Sequence, residues 1–137
     1  MLKIEPGEQG LRKVLREWQE IVMTLVWEET KRCKDRKDWT GVSSREAWDG
    51  ANAELNMRGD KTISRASVIN FLNDMSDYNV LLYNEESCKG GGRRRYVASS
   101  DMAGFVRKVI EDVLESFQND YPAEVYEVVK DHYPTVR

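Results

Sequence analysis

The sequence is poor in the residues that metal and redox chemistry need. It holds one histidine, His132, and two cysteines, Cys33 and Cys88, which are far apart and form no CxxC pair. A structural zinc site needs four clustered ligands, so no metal site is expected, and the cysteines are expected to be free thiols in a reducing cytoplasm. Long apolar runs are also missing. None approaches the roughly 20 residues that span a bilayer, and the opening MLKIEPGEQG lacks the apolar centre of a secretory signal. No GxxxxGK[ST] occurs, and the glycine run Gly90–Gly92 leads into a strand-like segment rather than a helix. A phosphate loop or dinucleotide turn is therefore not expected. The lone histidine falls in a charged segment near the C-terminus, and the cysteines have no histidine nearby in sequence. An enzyme reading finds no catalytic residues and no cofactor. Net basicity is absent as well, since the formal charge is −3. Binding to an acidic partner would have to rest on a local patch.

What is present is a globular composition, 40% apolar and 33% charged, without internal repeats. Leu11, Val14, Leu15, Trp18, Ile21, Val22, Leu25 and Val26 recur at helical spacing and predict a first helix over residues 9–30. The charge-dense KRCKDRKDWTG reads as a loop. Ser43 with Glu46 makes a capping box that opens a second helix over 44–56. Ser64 caps a third over 65–77, whose buried stripe is Val68, Phe71, Leu72 and Met75. Asn79 falls where that helix needs a left-handed residue. VLLYN and RYVAS then read as two strands joined by a long Gly-rich loop, a β-hairpin. Ser100 or Asp101 caps a further helix with the stripe Phe105, Val106, Val109, Ile110, Val113, Leu114 and Phe117. Pro122 ends or restarts it, and a last helix is expected from there to about 133.

Three helices followed by a hairpin suggest a helix-turn-helix with a wing. The fold expected is mainly α with a small β-hairpin. Its divisions are a DNA-binding domain over 1–100 and a C-terminal helical dimerisation element over 101–137. The outer side of the third helix carries Arg65, Ala66, Ser67, Ile69, Asn70 and Asn73. Its acids, Asp74 and Asp77, come only late. A helix that enters a major groove leads with its N-terminal residues. An acid-free start suits that role, because Arg can read guanine and Asn can read adenine. In the hairpin, Lys89, Arg93, Arg94 and Arg95 cluster around the glycines, as suits contact with phosphates or a narrow minor groove. Alternation places Arg93 and Arg95 on one face and Arg94 with Tyr96 on the other.

Three segments resemble the winged-helix transcription regulators, nearest the penicillinase/methicillin-resistance repressor family. EWQEIVMTLVWEE (17–29) is similar to that family's first helix. ISRASVINFLNDMSDYNVLLYN (63–84) resembles its recognition helix and first wing strand. GRRRYVASSDM (92–102) resembles its second wing strand and the entry to its C-terminal helices. The resemblance implies a homodimer formed through C-terminal helices, with Phe105, Val109, Ile110, Val113, Leu114 and Phe117 as the counterpart stripe.

The expectation is a sequence-specific double-stranded DNA-binding regulator, a homodimeric repressor without a cofactor and without membrane contact. Arg65, Ser67 and Asn70 would read bases, with Ser64 and Ala66 near the backbone, and Lys89, Arg93, Arg94 and Arg95 would hold phosphates or the minor groove. The alternative is a winged-helix module for protein–protein contact within a larger assembly, favoured by the overall acidity and by Asp74 and Asp77.

Overall fold

The computed structural model describes residues 2–88 and 91–120. Its first regular element is a 3₁₀ turn, Gly10–Lys13. Helix α1 (Glu17–Cys33) follows, then strand β1 (Val42–Ser43), α2 (Ser44–Met57), α3 (Arg65–Asp77), β2 (Leu81–Cys88), β3 (Gly91–Ala98) and α4 (Met102–Asp120). The protein is mainly helical, with a three-stranded antiparallel sheet in the order β1-β3-β2.

The single first helix expected over 9–30 is two elements. Leu11 and Val14 keep helical spacing with the later stripe, yet the chain turns between Val14 and Arg16. The Arg16 N–H donates to Gln19 Oε1 at 2.8 Å, which starts α1 at Glu17. At its other end α1 runs on to Cys33. Val26 and Cys33 stand two turns apart, and both are buried, so the core holds the charged KRC segment in the helix.

The cap predictions for α2 and α3 are borne out. The Glu46 N–H donates to Ser43 Oγ at 3.1 Å, and the Ser43 N–H donates to Glu46 Oε1 at 3.2 Å. Ser64 Oγ accepts from the Ser67 N–H at 3.2 Å. Both helices end in a Schellman motif. After α2, Gly59 takes φ +77°, and the Asp60 N–H reaches the Leu55 carbonyl at 2.9 Å. After α3, Asn79 takes φ +67°, and the Val80 N–H reaches the Met75 carbonyl at 3.1 Å. Asp101 caps α4 through the Gly104 N–H at 2.9 Å.

The hairpin is longer in ladder and shorter in loop than its sequence suggests. Pairing runs from Leu81↔Ala98 to Cys88↔Gly91, so only residues 89 and 90 lie between the strands. The charged stretch pairs because opposite charges face each other, Glu85 across from Arg94 and Glu86 across from Arg93. Strand β1, which the sequence reading did not foresee, adds Val42↔Tyr96 and Ser43↔Arg95. Gly41 lets β1 approach. Its φ is +131°, and a Cβ there would lie 2.8 Å from the Arg95 carbonyl carbon and the Tyr96 oxygen.

One core joins these elements. It includes Val22 and Val26 of α1, Ala47, Ala51 and Leu55 of α2, Val68 and Leu72 of α3, Leu81 and Tyr96 of the sheet, and Phe105 of α4. Trp18 meets Phe71 edge-on at 5.4 Å, and Trp27 meets Phe105 at 5.8 Å. Among the described residues no helix is long and apolar enough to cross a membrane. The helix expected after Pro122 lies outside the described residues.

Candidate nucleic-acid interface

The start of α3 is fixed by α2 rather than by α3 itself. Asn52 clasps the backbone of Ile63 in both directions: its Oδ1 accepts from the Ile63 N–H at 2.8 Å, and its Nδ2 donates to the Ile63 carbonyl at 3.1 Å. Trp48 Nε1 donates to the same carbonyl at 2.8 Å. The next residue, Ser64, is the cap. With Val68, Phe71, Leu72 and Met75 buried, α3 leaves Ser64, Arg65, Ala66 and Asn70 exposed and Ser67 half-buried. The Ser64 and Ser67 hydroxyls lie 2.9 Å apart in a hydrogen bond. Among the described residues no ion pair engages Arg65, so its guanidinium projects uncompensated from the first turn. Asp74 and Asp77 are exposed on the last turns.

Asn73 belongs to the polar side of α3 but faces the hairpin. Its Oδ1 accepts from Tyr96 Oη at 2.6 Å and from Arg94 Nη1 at 3.1 Å. Tyr96 is buried, and burial raises its phenol above the ordinary value against the lowering pull of Arg94. The hydroxyl therefore stays protonated and donates. Arg94 also lies 4.0 Å above the Tyr83 ring, a cation–π contact. One asparagine thus sets the attitude of the hairpin to α3.

The other face of the hairpin carries Arg93 and Arg95, as the alternation predicts, and both converge on Glu86. Arg93 Nη2 reaches Glu86 Oε1 at 3.4 Å, and Arg95 Nε binds Glu86 Oε2. Arg95 is held further. Its Nη1 donates to Glu46 Oε1 at 2.8 Å and to the Gly41 carbonyl at 3.1 Å. Its side chain is 22% exposed, against 46% for Arg93. The hydrogen bonds from Arg95 and then Arg93 hold the Glu86 carboxyl below its ordinary value. Burial opposes the charge on Glu46, but its bonds to Ser43 and Arg95 outweigh burial and hold it low too. The three arginines are therefore not equivalent: Arg95 braces the sheet, Arg94 joins the hairpin to α3, and Arg93 is the most exposed. Lys89 lies outside the described residues.

The stripe assigned to dimerisation divides in two. Phe105 is fully buried and Val109 is 8% exposed, so both serve the chain's own core. Ile110 and Phe117 are exposed, and Val113 and Leu114 are half-buried. Together with Leu11 and Val14 from the N-terminal turn, residues of this stripe line an apolar groove of about 350 Å³.

The clasp of Asn52 and Trp48 on Ile63, the bonds of Asn73 to the hairpin, the bond of Glu46 to Arg95, and the pairing of Glu86 escape a reading of the sequence. Only the cross-strand Glu–Arg spacing could have pointed to Glu86, and only once the register was known. Among the described residues no group of three or more His, Cys, Asp or Glu is placed to hold a metal ion. No family model matches this chain, and no curated protein or solved structure matches it either.

Proposed function

We propose that this chain is a winged-helix, sequence-specific double-stranded DNA-binding protein, a transcriptional repressor that acts as a homodimer. The observation that carries the reading is the joining of α3 to an arginine-bearing hairpin through Asn73. That link makes the acid-free start of α3 and the hairpin parts of one body, as a helix in the major groove with a wing on the backbone requires. Arg65, Ser67 and Asn70 read base edges, and Ser64 and Ala66 lie near the phosphates. Arg93 and Arg94, with Lys89, serve the backbone or minor groove. Arg95 contributes by holding β1 and β3 in place. The groove along Ile110, Val113 and Leu114 offers the apolar surface for a second copy.

A second reading, a protein–protein module, draws support from the exposed Asp74 and Asp77. Salt dependence separates the two, because binding through several phosphates weakens steeply as salt rises. A mobility-shift assay on genomic fragments tests the proposal, and absence of any shift at low salt would rule it out. Arg93→Ala with Arg94→Ala lowers affinity for every sequence, whereas Asn70→Ala changes which sequences are preferred.

A further inference from the structure

We propose that Glu86 sets the strength of the wing's grip: its carboxylate occupies the arginine face of the hairpin, and a phosphate must displace it from Arg93. The inference rests on the DNA-binding reading and concerns how that contact is graded.

The register puts Glu86 directly across from Arg93 and diagonal to Arg95, all on one face. Each carboxylate oxygen serves one guanidinium, Oε1 for Arg93 and Oε2 for Arg95. With Glu46 also on Arg95, two guanidinium charges meet two carboxylate charges, so this face is locally neutral. Arg94, on the opposite face, has the neutral partners Asn73 and Tyr83. A count of arginines thus overstates the charge the wing offers.

The two bonds of Glu86 differ in how readily they exchange. Arg95 would lose Glu86, Glu46 and the Gly41 carbonyl together. Among the described residues Arg93 has one ion pair, at 3.4 Å, longer than the 2.7–2.9 Å typical of a well-formed charge-assisted bond. A guanidinium binds phosphate through the same forked donors that it offers a carboxylate. Arg93 can therefore exchange Glu86 for phosphate while Arg95 keeps Glu86 in place. The vacated Oε1 then faces the incoming phosphate. Lost pairing and like-charge repulsion both weaken the grip, and both vanish when the carboxylate is made neutral.

The test measures binding of the full chain to a mixed-sequence DNA duplex by fluorescence anisotropy at stepped salt. Glu86→Gln is compared with Glu85→Gln, which removes an equal charge one residue away on the other face. Each is also made with Arg93→Ala. Glu86→Gln is expected to tighten binding about two- to five-fold beyond Glu85→Gln, the worth of a surface ion pair. It should also steepen the salt dependence by about one phosphate contact. With Arg93→Ala the gain should disappear. Equal effects of the two glutamine variants, or a gain that survives Arg93→Ala, would overturn the inference. Glu86→Thr, suited to a strand, repeats the comparison if the glutamine variant melts early. A wild type that binds no duplex at low salt removes the DNA reading itself. A wild type that binds but is indifferent to Glu86→Gln removes only the role of Glu86.

Discussion

Tyr96 donates its hydroxyl to Asn73 Oδ1 at 2.6 Å, from a ring that is 2% exposed. This bond crosses from the middle of β3 to the third helix. Asn73→Ala would leave the phenol O–H buried without its acceptor, at a cost of about 1–3 kcal/mol, whereas Tyr96→Phe removes the donor itself and costs about 1 kcal/mol. The double variant should cost less than the sum of the two, which urea denaturation of all four proteins would measure.

Gly41 and Gly59 both have positive φ, but their surroundings differ. No described residue lies within 4 Å of a Cβ added at Gly59, so Gly59→Ala meets only backbone strain, about 1–2 kcal/mol. At Gly41 the same methyl would strike the β3 backbone at 2.8 Å. Strain and collision add there, and Gly41→Ala should cost about 3 kcal/mol or more. Melting temperatures of the two variants provide the comparison.

Acid should loosen the sheet. Glu46 and Glu86 are both held below their ordinary value of 4.5 in the folded chain. A carboxylate with a depressed folded pKa adds stability above its unfolded pKa, and that stability is lost as pH falls toward the folded value. The decline should begin as pH drops through about 4.5 and continue below it. Glu46→Gln should flatten this part of the profile, as followed by denaturant midpoints at stepped pH.

The aspartate substitutions on α4 should divide by position. Val109 is 8% exposed, so Val109→Asp would bury a charge in the chain's own core and unfold it, at more than about 3 kcal/mol. Ile110 is 43% exposed, so Ile110→Asp should leave a folded chain. Under the proposed dimer, light scattering of Ile110→Asp should show a monomer with wild-type circular dichroism. A monomeric wild type would remove the dimer proposal.

The helices were legible where signals are local. Ser43 with Glu46, Ser64 with Ser67, and Asn79 all lie within a few residues of what they cap, and each does what its position suggests. The bounds of α3 follow from those signals. Pairings across long stretches were not legible. Strand β1 is two residues long and exists only because Gly41 admits β3, far along the chain. Residues 85–88 look like a polar loop until the opposing strand supplies Arg93 and Arg94. Asn52 carries no mark that it will hold Ile63, and Asn73 reads as one more polar residue on an outer face. Phe105 and Ile110 fit the same stripe, and packing against the core, Trp27 included, draws Phe105 inward.

That contact between Trp27 and Phe105 has a practical bearing on fragments. A chain cut after Ser100 would keep every base-facing and phosphate-facing residue proposed above, yet the Trp27 ring would face water where Phe105 had covered it. The helices and hairpin are thus better expressed with the opening turns of α4 attached, through Val109. A truncate ending at Ser100 should show weakened cooperativity on melting even though the residues it lacks lie on a different element from α3.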